Sequence, residues 1–155
     1  EIDWTIALID AIRSARAQMN VPAGAKVPLV QVSNDKAGIE YLASNMAQIK
    51  QMARVTKVIE EPIMPKGAIT VSAPGATFGL PLADVIDVAA EKARLDKKLG
   101  KLIKELSGLR SRVNNPKFAA SAPTEVLAET QDNLAMREEE EKKILEALER
   151  LAEID

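Results

Sequence analysis

The sequence lacks cysteine and histidine entirely, and it has only one Trp, one Tyr and two Phe among its 155 residues. The absence of cysteine excludes disulfide bonds and thiolate metal sites. The absence of histidine removes the most common general base and the most common metal ligand. No apolar run approaches the roughly 20 residues that a membrane-spanning helix needs. The composition therefore favours an aliphatic core in a cytoplasmic protein, and a start without Met or a basic signal region indicates a piece of a longer chain.

Catalytic motifs are absent as well. The chain has no GxxxxGK[ST] loop, no GxGxxG after a strand and no nucleophile elbow. A site without histidine or cysteine would need a lysine or paired carboxylates, and the adjacent Glu60 and Glu61 are better explained as a solvated strand end. We therefore predict no catalytic residue, no metal ligand and no cofactor-binding residue, and an enzyme is the least favoured class of function.

The first half of the sequence predicts a small body of helices and strands. An apolar stripe predicts a helix to about residue 19, and its members are Trp4, Leu8, Ile12, Ala15 and Met19. Ile2, Ile6 and Ile9 widen this stripe, as expected for a helix packed between two bodies. Later patterns predict strand 26–33, helix 36–52, and strands 54–60, 68–72 and 76–80. We expect helix 36–52 to cover one face of the sheet.

The second half of the sequence predicts two long helices. Apolar residues recur at steps of three and four on the first helix, at Leu95, Leu99, Leu102, Leu106, Leu109 and Val113. No proline interrupts residues 84–113 or 124–154, so each range can form a helix of about 45 Å. The return helix carries Leu127, Leu134, Ile144, Leu148 and Leu151. Two helices of similar length joined by a short loop predict an antiparallel hairpin.

These patterns together predict an α+β fold. A small body of helix, strand, helix and three strands is followed by a long antiparallel α-helical hairpin, a coiled-coil arm. We divide the chain into a junction helix (1–23), an α/β body (24–83) and the arm (84–155), which suits one domain of ordinary size or a small domain with an appendage.

Charge is distributed unevenly along the predicted arm. Residues 85–123 carry a net charge of +5, whereas residues 124–155 carry −7. Six basic residues, here called the basic stripe, recur away from the apolar seam: Arg94, Lys97, Lys98, Lys101, Lys104 and Arg112. Arg110 and Lys117 extend the stripe toward the turn. This pattern is typical either of a solvated helix face or of a surface that follows nucleic-acid phosphates and reads backbone shape more than bases.

Two features of the arm leave alternatives open. The acidic cluster Glu138–Glu141 on the return helix could neutralise the basic stripe, and we expect Lys92 to face this cluster. Phe118, at the turn, could close the apolar core of the hairpin or could stack on an exposed base.

Three segments of the chain resemble one known family. Residues 9–22 read IDAIRSARAQMNVP, similar to the stretch IR..RaeMNvPp that follows the anticodon-binding helices of bacterial valyl-tRNA synthetases. Residues 80–82 (LPL) and 90–95 (AEKARL) resemble the start of that family's C-terminal arm. Asn115-Pro116-Lys117-Phe118, followed by APTEV at 122–126, resembles the tip of the arm. The resemblance covers essentially the whole chain in the family's order.

The resemblance implies a C-terminal fragment of a valine–tRNA ligase, namely the end of the anticodon-binding region followed by a tRNA-binding arm. It implies that the arm packs on the outer corner of tRNA(Val), where the D- and T-loops meet, and supports aminoacylation without chemistry of its own. ATP and Mg would serve the parent enzyme only. The implied partners are tRNA(Val) and the rest of the synthetase, with no membrane, and the implied state is a monomer.

The candidate tRNA-binding residues come from the charge pattern and the turn, and they are the basic stripe with Arg110, Lys117 and Phe118. The alternative function is a coiled-coil module for protein interaction or oligomerisation. Arg137 and Glu141 favour this alternative, because they stand where the return helix would be expected to carry leucines.

Overall fold

The computed structural model describes residues 1–154, which divide into two compact units. The first unit combines residues 1–91 with the helical residues from Glu149 onward, and the second unit is Lys92–Leu148. All strands of the described residues lie in the first unit, whereas the second unit is helical. The predicted α+β class is therefore confirmed.

The first unit follows the predicted order of helices and strands. Its elements are α1 (Ile2–Gln18), β1 (Val27–Asn34), α2 (Lys36–Ser44), α3 (Met46–Ala53), β2 (Val55–Glu60), β3 (Ala68–Ala73) and β4 (Ala76–Pro81). The predicted single helix over 36–52 is wrong, because α2 and α3 are separated at Asn45. The side-chain amide of Asn45 donates to the carbonyl oxygen of Tyr41 at 2.9 Å, and its own N–H donates to the same oxygen. Such a side chain competes with the helical hydrogen bonds of the backbone.

The four-stranded sheet has the order β2-β1-β4-β3. β1 pairs in parallel with β2 and antiparallel with β4, and β3 and β4 form an antiparallel hairpin. A parallel pair needs a crossover, which α2 and α3 supply. The hairpin turns at Pro74 and Gly75, and the φ of +72° at Gly75 suits the third position of a type II turn. Glu153 covers the edge strand β3, since its Oε2 accepts a hydrogen bond from the N–H of Thr70 at 2.9 Å.

Helix α1 packs against the sheet and α3 through the predicted apolar stripe, whose members are all buried. Trp4 joins this helix to the hairpin turn, because its indole Nε1 donates to the carbonyl oxygen of Pro74 at 2.9 Å. Its ring centroid lies 5.9 Å from that of Tyr41 and 6.3 Å from that of Phe78, so three of the four aromatic residues form one cluster. Ile2 and Ile6, which widen the stripe, are exposed.

The arm consists of α4 (Val88–Asn114), α5 (Pro116–Ser121) and α6 (Thr124–Ile154). Within the second unit, Leu95, Leu102 and Leu106 are buried, and the other residues of the apolar ladder are half-buried. One groove is lined by Leu102 of α4 and Ile144 of α6, and a second groove is lined by Leu109 of α4 and Asn133 of α6. Later residues of α4 therefore lie beside earlier residues of α6. The hairpin is therefore antiparallel, as predicted.

The ends of the arm helices differ from the prediction. Helix α4 begins at Val88 and not at residue 84, because the Oδ1 of Asp87 accepts a hydrogen bond from the N–H of Ala90 at 3.0 Å. The turn contains the short helix α5, which Asn115 caps by accepting from the N–H of Lys117 at 3.0 Å, with Pro116 in the first turn.

The ion pairs between the two arm helices show which residues face each other across the hairpin. Glu141 lies 4.0 Å from Arg110, measured between the carboxylate and guanidinium atoms. Lys92 is about 27 Å from Arg110 along the same helix, at about 1.5 Å per residue. The expectation that Lys92 faces the acidic cluster is therefore wrong.

Two glycines inside α4 give a test of arm stability. A Cβ added at Gly100 or Gly108 would meet no atom within 4 Å. We expect G100A and G108A each to raise the free energy of unfolding by roughly 0.5–1 kcal/mol, because alanine has the higher helix propensity. Thermal melts followed by circular dichroism at 222 nm would measure this. G75A is the control and should destabilise the protein, because φ is positive there and the new Cβ would meet the carboxylate of Asp35; equal effects of all three substitutions would contradict the prediction.

Candidate nucleic-acid interface

The basic stripe lies along one exposed face of α4. All six of its residues are exposed, whereas the apolar ladder on the same helix is buried or half-buried. With about 3.6 residues per turn, the stripe is centred roughly 120° around the helix from the ladder. From Arg94 to Arg112 it extends for about 27 Å at 1.5 Å per residue. This length is sufficient to follow several phosphates of a nucleic-acid backbone.

Most of the stripe has no carboxylate partner. Five residues of the stripe form no ion pair within Lys92–Leu148, namely Lys97, Lys98, Lys101, Lys104 and Arg112. Arg94 does have an interaction partner. An exposed ammonium without a partner keeps its full attraction for an external anion. The face is therefore positively charged, although residues 124–155 are strongly acidic.

The acidic cluster contacts arginines outside the basic stripe. Arg110 Nη2 lies 3.6 Å from a carboxylate oxygen of Glu138 and 4.0 Å from one of Glu141. Helical geometry places Arg110 on the opposite flank of the apolar ladder from the stripe. Glu140 pairs instead with Arg137 at 2.8 Å on its own helix. Arg110 is thus separated from the other candidate contacts and held by the return helix.

The polar residues of the return seam are satisfied inside the hairpin. Arg137 and Glu141 are half-buried. The Nε of Arg137 lies 3.2 Å from a carboxylate oxygen of Glu105 on α4, so this pair bridges the two helices. Glu141 contributes to the pairing with Arg110. These contacts explain the two non-leucine positions without a second copy of the arm.

Two stripe lysines border a groove between the arm helices. Lys98 and Lys101 line it from α4, and Lys143 lines it from α6. Sequence reasoning missed Lys143 because this lysine belongs to the acidic half of the arm. The sequence carried no signal for it, because Lys143 reaches the groove through the alignment of Ile144 with Leu102, which only the structure shows.

The tip of the arm presents the two remaining candidates on α5. Lys117 is exposed, and its side chain forms no ion pair within Lys92–Leu148. Phe118 is half-buried, and its carbonyl oxygen accepts the N–H of Ala122 at 2.9 Å. A half-buried ring is compatible with both predicted roles, closure of the apolar core and stacking on a base.

Neither a metal centre nor a membrane span is present among residues 1–154. No three His, Cys, Asp or Glu side chains in this range are grouped so that they could hold a metal ion. None of the helices in the same range has the length and the apolar character required to cross a membrane.

Comparison with known proteins identifies relatives for both units. Residues 87–152 match the family model described as the valyl tRNA synthetase tRNA binding arm. The chain is 54% identical over 154 residues to the valine–tRNA ligase of Ruegeria pomeroyi and 52% identical over 154 residues to that of Cereibacter sphaeroides. It is 38% identical over 151 residues to the valine–tRNA ligase of Mesorhizobium japonicum. These alignments cover 97–99% of the chain but only 15–16% of each ligase, and they confirm the predicted resemblance.

Proposed function

Residues 87–152 belong to the family of valyl-tRNA synthetase tRNA-binding arms, and from this premise we propose that the chain is a non-catalytic, tRNA-binding part of a valine–tRNA ligase. The chain spans about 15% of the length of the relative with which it shares 54% identity. Valine activation, and the ATP and Mg that it requires, then belong to the parent enzyme. The partners are tRNA(Val) and the rest of the synthetase, in the cytoplasm. The division into a junction helix (1–23), a body (24–83) and an arm (84–155) is part of this proposal.

The observation that carries the proposal is the line of exposed cations on one face of α4, five of which, Lys97, Lys98, Lys101, Lys104 and Arg112, form no ion pair within Lys92–Leu148. Long exposed side chains in a row would attract phosphates and release the counterions bound to RNA. Lysine predominates over aromatic residues, which favours recognition of backbone shape over recognition of base edges. Such contacts hold and orient the tRNA while the chemistry takes place elsewhere.

The tRNA surface that we propose for the arm is the outer corner, where the D- and T-loops meet. The stripe would follow the phosphates there, with Lys117 continuing the line at the tip. Phe118 would stack on an exposed base of the same corner. Arg110 contributes less, because Glu138 and Glu141 already hold its guanidinium.

Salt dependence of tRNA binding tests the proposal directly. Fluorescence anisotropy with labelled tRNA(Val) would measure the affinity of the 155-residue chain between about 50 and 300 mM salt. With four to six phosphate contacts we expect log Ka to fall with log salt concentration at a slope of about −4 to −5. A slope near zero would contradict the stripe as a phosphate-binding surface. Hydroxyl-radical footprinting should show protection of the D- and T-loops, and protection elsewhere alone would contradict the corner.

The alternative function, a coiled-coil interaction module, predicts a different outcome in solution. An arm that pairs with a second arm would give a concentration-dependent dimer in sedimentation velocity. We expect a monomer at all concentrations, because Arg137 and Glu141 are already paired within the hairpin. Sedimentation of the same chain with and without tRNA separates the two functions.

A further inference from the structure

The first unit contains a cleft bordered by three arginines. The cleft has a volume of about 330 Å³ and lies where α1 and α3 end. Its charged residues are Arg13 and Arg16 on α1 and Arg54 after α3, and Gln51 adds an amide. Acidic residues are absent from its lining. These arginines lie outside the arm and have no part in the stripe.

The end of α1 holds Arg16 in place. Asn20 has a φ of +56°, and the N–H groups of Asn20 and Val21 donate to the carbonyl oxygens of Ala17 and Arg16 at 3.1 and 3.0 Å. This is a Schellman motif, and it turns the chain back along the helix. The Nη2 of Arg16 then donates to the carbonyl oxygens of Pro22 at 3.2 Å and of Ala25 at 2.6 Å.

Arg16 is buried without a neutralising partner. The residue is 7% exposed, and its Nη1 is buried without a hydrogen-bond partner. Burial lowers the pKa of the guanidinium, and the charge of Arg54 lowers it further. A buried charge is normally paired with a carboxylate. Within residues 1–154, none of the three arginines of the cleft forms an ion pair with a carboxylate.

Arg54 is brought to the cleft by an unusual backbone conformation. It ends α3 with a φ of +55°, in the left-handed region that glycine or asparagine usually occupies at this position. An arginine there costs about 1 kcal/mol relative to glycine. Its carbonyl oxygen accepts the N–H of Val27 at 3.2 Å, which fixes the turn against β1. Arg13 and Arg54 are exposed, and Arg16 lies beneath them.

We propose that this cleft binds a backbone phosphate of RNA, as a second contact that rests on the proposed tRNA-binding function. The exposed guanidinium groups of Arg13 and Arg54 would each offer a fork of donors to the phosphate oxygens. Arg16 would add a fixed positive charge from below, which an anion at the mouth of the cleft would compensate. The opposing explanation is that the arginines only balance the negative ends of the α1 and α3 dipoles.

Matched charge removals distinguish these explanations. R13Q/R54Q removes two exposed charges of the cleft and leaves Arg16 and its loop intact. K36Q/K66Q is the control, because both lysines are exposed in the first unit and do not line the cleft. The affinity of the 155-residue chain for tRNA(Val) at 0.1 M salt should fall by a factor of about 8 for R13Q/R54Q, as expected for the loss of one phosphate contact. The slope of log Ka against log salt should become less negative by about 1, and the control should change both values much less.

The outcomes separate the cleft from the arm. Equal affinities of R13Q/R54Q and K36Q/K66Q, with a lower melting temperature only for R13Q/R54Q, would overturn the cleft and support the dipole explanation. An arm variant, K98E/K101E/K104E, is measured in parallel. Loss of affinity in the arm variant alone overturns the cleft and leaves the proposed function standing, whereas loss in the cleft variant alone overturns the arm. A chain with no measurable tRNA affinity at 50 mM salt would overturn both.

Chemical modification gives a readout that needs no variant. Phenylglyoxal modifies accessible guanidinium groups, and mass spectrometry locates the modified residues. Saturating tRNA should slow modification of Arg13 and Arg54 at least threefold, and it should slow modification of Arg112 if the arm also binds. Protection of Arg112 without protection of Arg13 and Arg54 would overturn the cleft.

Discussion

Reversing three lysines of the basic stripe, K98E, K101E and K104E, is expected to lower the affinity of the chain for tRNA(Val) by at least about 100-fold at 0.1 M salt. Each phosphate contact raises the association constant at 0.1 M salt about 8-fold relative to 1 M salt, because the association constant varies as roughly the −0.9 power of salt concentration per contact. Three lost contacts therefore give a factor of about 500 before repulsion by the new carboxylates is counted. The slope of log Ka against log salt should become less negative by about 3.

The three lysines suit this test because their charges are available and their removal is structurally mild. All three are exposed and form no ion pair within Lys92–Leu148. The matched control, K36E/K57E/K66E, reverses three exposed lysines of the first unit and makes the same change in net charge. If the control weakened tRNA binding as much as the stripe variant, overall charge and not the stripe would be responsible.

In the full-length synthetase the same reversal should act on tRNA alone. We expect a higher apparent KM for tRNA and an unchanged rate of valine-dependent pyrophosphate exchange, because activation of the amino acid needs no tRNA contact by the arm. A parallel loss of exchange activity would indicate that the variant disturbs the catalytic part of the enzyme, contrary to the proposal.

Replacing the buried ring at the centre of the sheet, F78A, is expected to lower the free energy of unfolding by about 3–5 kcal/mol. Phe78 is fully buried on β4 and lies 6.3 Å from Trp4 between ring centroids. Truncation would remove apolar burial and leave a cavity beside the indole. Since domains of this size are stable by only about 5–15 kcal/mol, much of the margin would be lost.

The same deletion at the tip of the arm is the matched control for F78A. Phe118 is half-buried, so F118A should cost less than about 1.5 kcal/mol. Urea unfolding followed by the fluorescence of Trp4, the single tryptophan, and by circular dichroism would measure both variants. Equal destabilisation by the two substitutions would contradict the central role of the Trp4–Phe78 contact.

Local pattern was sufficient for the hairpin and for the position of the stripe. Steps of three and four residues place leucines on one side of a helix and lysines on another, whatever surrounds it. The boundaries of the helices needed more, because Asp87, Asn115 and Asn45 act through individual hydrogen bonds. Several polar residues near each of these positions could have served as the cap, and only geometry selects one.

The electrostatic state of the candidate site depended on contacts across the hairpin. Arg110 and Lys104 look alike in the sequence, yet Arg110 contacts Glu138 and Glu141 while Lys104 forms no ion pair in Lys92–Leu148. This pairing depends on how α6 is aligned along α4, and the ion pairs of Arg110 with Glu138 and Glu141 report that alignment. A pattern within one helix cannot specify the alignment of two helices.

The sequence by itself determined the helical arm, its apolar ladder, the basic stripe and the resemblance to a family of tRNA-binding arms, because each depends on spacing within a continuous segment. Only the tertiary structure decided which charges on the arm are paired, and only it revealed the arginine cleft. Arg16 and Arg54 are far apart in the sequence, and they meet because α1 and α3 end at the same place beside the sheet. Charges separated by a crossover share no periodicity, so folding is required to bring them together.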